Sequence, residues 1–144
     1  MIPWAGCPPP LRNRRWIMTH RILVVEDNPP SREFLTLWLE LEGYDVVAAA
    51  NLEQAMSAFN HQSPHAVLLD VQLGVEDGLS LAKWVREDPR FRHTPVIAVT
   101  AHAMVTHQER VMQAGCDACV SNPIDFRLLK RQLAICLPEL HLGV

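Results

Sequence analysis

Residues 66–87 read AVLLDVQLGVEDGLSLAKWVRE and hold one complete strand-to-helix unit. The first four residues are all apolar, as expected of a strand that is buried on both faces of a sheet, and the run ends at Asp70. A loop bracketed by Gly74 and Gly78 follows this acid. A helix is then predicted as far as about Glu87, with an apolar face made of Leu79, Leu81, Ala82 and Val85. A buried strand followed by such a helix is typical of a parallel sheet.

The same alternation of strand and helix is predicted along the rest of the chain. Strands are predicted at 22–25, 45–49, 66–69, 95–99 and 118–121, of which 22–25 and 66–69 read as buried. Asn28, Asn51 and Asp125 are candidate N-caps, and Gly43 and Gly115 are candidate helix ends. Five such units predict an α/β fold, a (βα)5 doubly wound parallel sheet with right-handed crossovers and helices on both faces.

The first predicted helix has an apolar stripe. Pro29 and Pro30 suit its first turn. The stripe has the spacing i, i+3, i+4 and i+7 and consists of Phe34, Leu37, Trp38 and Leu41. This spacing predicts that the stripe is the face that packs against the sheet.

Length and composition narrow the class of protein. A chain of 144 residues with a net charge of -3, 49% hydrophobic and 20% charged residues fits one soluble domain. No apolar run approaches the roughly 18 residues needed to cross a membrane, and the mild acidity offers no basic footprint for nucleic acid. Residues 1–19 contain several prolines and arginines but no apolar signal core. We expect them to form a flexible extension before a domain at 20–140.

Polar side chains stand at the carboxyl ends of four predicted strands. They are Glu26 and Asp27, Asp70, Thr100 and Asn122. The carboxyl ends of parallel strands meet at one edge of the sheet, where ligands of such folds bind. Three carboxylates brought together repel one another, so they favour a bound cation. Hard oxygen ligands of this kind suit Mg²⁺.

Four stretches of the chain resemble the receiver domain of two-component response regulators, of the single-domain chemotaxis type. They read RILVVEDNP, AVLLDVQLGVEDGLSLAKWVRED, TPVIAVTAHAM and GCDACVSNPIDFRLL. The resemblance covers about residues 20–138 and implies the flavodoxin-like strand order 2-1-3-4-5. It also implies that Asp70 accepts a phosphoryl group from a phosphohistidine of a sensor histidine kinase or a histidine phosphotransfer protein.

The resemblance implies roles for the other site residues as well. Asp27, Asp70 and the backbone carbonyl of Gln72 would hold Mg²⁺, and Glu26 would act through water. The cation would neutralise charge that spreads over the phosphoryl oxygens during transfer. Thr100 would donate its hydroxyl to the attached phosphoryl group, which would draw the loop after its strand inward as a two-state switch.

Two positions depart from the family pattern. Asn122 stands where the family has a lysine, so a neutral amide replaces a full positive charge. Cys119 stands where the family has the aromatic residue that swings inward on activation. Both residues belong to the response to phosphorylation more than to the metal site, so we predict a weakened or altered conformational response. The resemblance also implies a cis bond between Asn122 and Pro123.

The remaining reactive side chains suggest no further chemistry. Cys116 and Cys119 form a C-x-x-C pair, but it runs from a helix end into a strand and no second pair completes a zinc site. We expect buried free thiols and a reducing, cytoplasmic location. His102 is either a neighbour of the site or a surface residue. A basic patch on the last helix is either a solvated face or a partner contact, and consists of Arg127, Lys130 and Arg131.

Two interpretations of the function stay open. The first is a receiver that accepts a phosphoryl group in a phosphorelay, and the second is a degenerate pseudo-receiver that binds proteins independently of phosphorylation. A haloacid-dehalogenase-type phosphatase needs a second aspartate where Gln72 stands, and a Rossmann site needs a glycine loop after the first strand. We therefore expect a signalling protein that is not an enzyme and that binds a downstream target protein, not nucleic acid or a membrane.

Overall fold

The protein alternates strands and helices throughout residues 19–101 and 105–137, which the computed structural model describes. Its strands within these residues are β1 Arg21–Val25, β2 Asp45–Ala49, β3 Ala66–Asp70, β4 Gln72–Leu73, β5 Glu76–Asp77, β6 Val96–Thr100 and β7 Ala118–Ser121. Its helices are α1 Pro29–Leu41, α2 Leu52–Gln62, α3 Leu79–Glu87, α4 Val105–Gln113 and α5 Phe126–Cys136.

Five of the strands form one parallel sheet, in the order β2-β1-β3-β6-β7. Counted among these five alone, this is the predicted order 2-1-3-4-5, so the doubly wound α/β prediction is confirmed. β1 and β3 are neighbours, and Val25 pairs with Leu69. β4 and β5 form a separate antiparallel hairpin; β5 lies within the loop predicted between Gly74 and Gly78, and β4 lies just before it.

The sheet is covered on both faces, which explains why its strands read as continuous apolar runs. Along β1, Leu23 and Val25 belong to one core cluster, and Ile22 and Val24 belong to the other. The first cluster is completed by residues of α2, α3 and α4, and the second by residues of α1 and α5. Since successive side chains of a strand point to opposite faces, both sets must be apolar.

The predicted helix boundaries follow from local chemistry. Asn28 accepts a hydrogen bond from the backbone N–H of Ser31 at 3.0 Å, and Asn51 accepts one from the N–H of Gln54 at 2.9 Å. Asp125 caps α5 in the same way. These caps satisfy N–H groups that have no partner inside the helix.

The predicted packing face of α1 is wrong. Its buried residues are Leu35 and Leu39, whereas Phe34, Leu37 and Leu41 are 58%, 59% and 85% exposed. The helix is apolar along two adjacent stripes, and periodicity alone does not distinguish them. In the structure Leu35 and Leu39 pack into the core cluster on this face of the sheet, together with Leu129 and Leu133 of α5. Trp38, the fourth residue of the predicted face, lies beside Phe126 of α5, with 4.9 Å between ring centroids.

Both chain ends extend beyond the residues that the structure describes. Residues 1–18, 102–104 and 138–144 lie outside the described residues, and with them nearly all of the predicted extension, the predicted end of the domain at residue 140, and His102. Within the described part, none of the helices combines the length and the apolar character that crossing a bilayer requires.

Candidate functional site

The three predicted acids meet at the carboxyl edge of the sheet. Glu26 and Asp27 directly follow β1, and Asp70 is the last residue of β3. One carboxylate oxygen of each lies within 4.8 Å of the others. They come together because β1 and β3 are paired in register up to Val25 and Leu69, so that the next residues of both strands share one edge.

The backbone after β1 is held in place by several hydrogen bonds. The Glu26 N–H donates to the carbonyl of Ala49 at 3.0 Å, and its Oε2 accepts from the N–H of Asn28 at 3.1 Å. Arg32 donates to the carbonyls of Glu26 and Asp27 at 2.8 and 3.3 Å. Arg32 therefore orders the loop through its backbone oxygens and leaves the carboxylates without that cation. Sequence reasoning missed this residue, although a cation in the first turn of α1 was a signal for it.

The loop after β3 passes close to Asp70. The N–H of Gln72 donates to Asp70 Oδ1 at 3.0 Å, so Gln72 lies beside the acid. A Cβ at Gly78 would lie 2.3 Å from the carbonyl oxygen of Asp70 and 2.9 Å from that of Val71. Only glycine fits there without displacement of the loop. Gly74, with φ at +59°, brings the hairpin to within van der Waals distance of Asp27, since an added Cβ would lie 3.5 Å from its Oδ2.

The electrostatics of this cluster favour a cation. Burial raises the pKa of Glu26 to about 7, and the neighbouring carboxyl groups of Asp70 and Asp27 add to the rise, while the Asn28 N–H opposes it. Burial also raises the pKa of Asp70, against the opposing hydrogen bond from Gln72. None of the ion pairs within the described residues includes these three acids. The all-oxygen donor set and the uncompensated charge therefore fit a hard divalent ion.

Thr100 lies at the end of β6, next to β3 in the sheet, where Asp70 pairs with Val99. Its side chain is 4% exposed, and its Oγ1 lies 2.8 Å from Nε2 of His107 in α4. Its carbonyl accepts the N–H of Asn122 at 2.8 Å. The predicted position of Thr100 at this edge agrees with the structure, but the contact with His107 was not predicted.

Asn122 follows β7 and is exposed. It lines a cavity of about 230 Å³ together with Glu26, Leu35, Val99 and Ile124. The peptide bond between Asn122 and Pro123 is cis, as the resemblance implied. Asn122 thus borders the acid cluster without belonging to it.

The cysteines stay outside the site. Cys116 is buried, and desolvation raises the pKa of its thiol to about 12. Cys119 is half-buried and packs against the core cluster on the α3 and α4 side of the sheet. Both thiols are free, as predicted. Within the described residues, the acid cluster is the one group of three side chains placed to share a metal ion.

Comparisons with known proteins agree with this arrangement. The family model described as the response regulator receiver domain matches residues 22–134. The polar-differentiation response regulator DivK of Brucella ovis is 37% identical over 107 residues, which cover 74% of this chain and 87% of that protein.

Solved structures show the same fold. A putative response regulator from Chloroflexus aurantiacus has 30% identity and a TM-score of 0.76, and the match covers 83% of this chain and 98% of that one. The receiver domain of the sensor histidine kinase PA1611 from Pseudomonas aeruginosa has 33% identity and a TM-score of 0.74, with 82% and 97% covered. That structure is described as holding a magnesium ion in its active site cleft. With the acid cluster at the carboxyl edge of a 2-1-3-4-5 sheet, these matches show that the chain belongs to the family of response regulator receiver domains, the signal-receiving modules of two-component systems.

Proposed function

We propose that Asp70 accepts a phosphoryl group from a phosphohistidine of a sensor histidine kinase or a histidine phosphotransfer protein. The observation that carries this proposal is the convergence of Asp70 with Glu26 and Asp27 within 4.8 Å at the carboxyl edge of the sheet. A carboxylate oxygen of Asp70 forms the new bond to phosphorus, and the bond between phosphorus and the histidine nitrogen breaks. The imidazole leaves with the electron pair of that bond.

The acids would hold Mg²⁺ with the backbone carbonyl of Gln72. Glu26, Asp27 and Asp70 supply the carboxylate oxygens, with Glu26 acting through water. When bound, the ion supplies positive charge to the phosphoryl oxygens. The residues themselves do the positioning: the N–H of Gln72 orients the Asp70 carboxylate at 3.0 Å, and the N–H of Asn28 orients Glu26 at 3.1 Å.

Thr100 and Asn122 would donate hydrogen bonds to the phosphoryl group on Asp70. Thr100 can donate its hydroxyl to a phosphoryl oxygen. Asn122, which borders the site, can donate an amide N–H, but it brings no positive charge where the family has lysine. We therefore expect the phosphorylated form to be less strongly stabilised here than in a receiver that carries the lysine.

Signalling would proceed by protein binding in the cytoplasm. The basic residues of α5 are exposed, and Lys130 pairs with Glu42 at 3.2 Å. An exposed pair of this kind contributes little to stability, so these side chains are available to a partner.

The second candidate is a pseudo-receiver that binds partners without switching. Two residues favour it, Asn122 in place of lysine and Cys119 in place of the switch aromatic. The intact acid cluster favours the first candidate.

Incubation with acetyl phosphate and Mg²⁺, followed by intact-mass measurement, distinguishes the two candidates. The wild type should gain one PO₃ group, and Asp70→Asn should gain none. Asp77→Asn is a matched control, because Asp77 lies in the same loop outside the acid cluster and an asparagine oxygen can still accept from the Leu79 N–H. A wild type that stays unmodified, while a receiver with the usual lysine is modified in the same tube, would leave only the pseudo-receiver.

A further inference from the structure

The hydroxyl of Thr100 already has a partner in the unphosphorylated protein. Its Oγ1 lies 2.8 Å from Nε2 of His107, in the first turn of α4, and the threonine is almost fully buried. The Thr100 carbonyl is engaged by the N–H of Asn122 at 2.8 Å. Thr100 therefore joins the loop after β7 to α4 at the carboxyl edge of the sheet.

His107 faces the same edge as the acid cluster. With the loop that follows Asp70 it lines a cavity of about 370 Å³, whose other walls include Gln72, Gly74 and Arg110. Arg110 Nη2 lies 3.9 Å from Asp77 Oδ2, and both of these side chains are exposed. The first two turns of α4 therefore lie beside the loop that directly follows Asp70.

We propose that His107 is a positioning residue that competes with the phosphoryl group for the Thr100 hydroxyl. This inference rests on the proposed function of Asp70. A threonine hydroxyl has one proton, so it cannot donate to the imidazole and to a phosphoryl oxygen at once. Phosphorylation then requires an exchange of partners, in which Thr100 leaves His107 and α4 loses one of its ties to the sheet. No covalent step is added, because only hydrogen-bond partners change.

The competition for the Thr100 hydroxyl matters more in this protein because Asn122 is neutral. In a site with lysine, a charged donor would hold the phosphoryl group by a bond about twice as strong as a neutral one. Here the Thr100 hydroxyl forms a larger share of the contacts to that group. The strength of its bond to His107 therefore sets how readily the phosphorylated state forms.

The test uses beryllofluoride with Mg²⁺, which binds a carboxylate oxygen and presents three fluorides in place of the phosphoryl oxygens. The full chain is titrated at about pH 8, above the ordinary pKa of imidazole. His107→Phe keeps an aromatic ring but removes the ring nitrogen that contacts Thr100. We expect this variant to bind the probe about fivefold more tightly, a factor that corresponds to the free energy of one neutral hydrogen bond. His107→Gln offers a polar group again and should return toward the wild-type affinity. His107→Ala also removes the partner and replaces the Phe variant if that variant does not fold.

A second pair of variants shows whether the effect passes through Thr100. In the Thr100→Val background, loss of the His107 ring nitrogen should not change the affinity. The proposal would be overturned if loss of the ring nitrogen changed the affinity for beryllofluoride equally in both backgrounds, or in neither. It would also be overturned if His107→Phe bound the probe more weakly, since His107 would then support the Thr100 hydroxyl by donating to it. Failure of the wild type to bind the probe would overturn the proposed function of Asp70 and the exchange together, whereas binding that does not respond to His107 would overturn the exchange alone.

Discussion

Replacement of Glu26 by glutamine should stabilise the protein at pH 8 in the absence of divalent ions. Glu26 is buried beside two other carboxyl groups, and its pKa is raised to about 7 from the ordinary value of 4.5. A raised pKa means that the folded protein binds more protons than the unfolded chain between these two values. The favourable contribution of the protonated group is complete below about pH 4.5 and is lost as the pH rises through about 7.

The size of the effect follows from the same two values. A tenfold change in proton affinity corresponds to about 1.4 kcal/mol. The difference between the raised and the ordinary pKa of Glu26 therefore sets an upper limit of about 3 kcal/mol on the stabilisation by Glu26→Gln. Water and small movements of the neighbouring carboxylates relieve part of the charge, so we expect a gain of about 1 to 3 kcal/mol for Glu26→Gln at pH 8. Glutamine keeps the shape of the side chain and an oxygen that can accept from Asn28.

Urea unfolding in the presence of a chelator measures this gain. The free energy of unfolding of the wild type should fall between pH 5 and pH 8 relative to that of Glu26→Gln, and millimolar Mg²⁺ should restore it by binding the folded state. Glu33→Gln is the matched control, because Glu33 lies exposed on α1 and away from the acid cluster. If the wild type and Glu26→Gln keep a constant difference across this range, the carboxylate is not destabilised by its neighbours and the electrostatic account of the site is wrong.

Three further changes test the loop, the helix and the departure from the family. Gly78→Ala should destabilise the protein by roughly 2 to 4 kcal/mol and weaken Mg²⁺ binding, because its Cβ would lie 2.3 Å from a backbone oxygen. Gly43→Ala is the control and should cost only about 1 kcal/mol. Its φ is +98°, but nothing lies within 4 Å of the added Cβ. Leu39→Ala should cost about 2 to 5 kcal/mol and Leu37→Ala less than about 0.5 kcal/mol in thermal unfolding, as the observed face of α1 requires. Asn122→Lys should tighten beryllofluoride binding by roughly tenfold or more, because a charge-assisted hydrogen bond replaces a neutral one, and an unchanged affinity would contradict the role given to this position.

The elements that the sequence predicted well are those decided by nearby residues. β2 and β7 begin and end at the predicted residues. β7 is bounded by the polar residues Asp117 and Asn122, and β2 begins at Asp45, shortly after the helix-ending Gly43. The helix caps at Asn28, Asn51 and Asp125 are contacts over two or three residues. A local signal of this kind survives in any fold that contains the element.

The features that the sequence did not reveal depend on how distant elements meet. The packing face of α1 depends on contacts with the sheet and with α5, and two apolar stripes were equally consistent with its sequence. The bond between Thr100 and His107 joins the end of β6 to α4. Neither residue type identifies the other as a partner, since a threonine at a strand end and a histidine on a helix are both common on surfaces.

The acid cluster lies between these two cases, and this explains why it could be predicted at all. Glu26 and Asp70 are far apart in the chain, and neither is an attractive partner for the other. In the folded state burial raises the pKa of both groups, Asp70 adds to the rise at Glu26, and Asp27 adds to the rise at Asp70. They meet because the strand order and the register of β1 against β3 are fixed by apolar side chains in the middle of the sheet. The core therefore supplies the free energy that holds like charges together, and a cation or a phosphoryl group with its counterion relieves the repulsion. When the rest of the fold holds like charges close together against their mutual repulsion, the position indicates a function. For this reason the residues at the strand ends were more informative about the function of this protein than its cysteines or histidines.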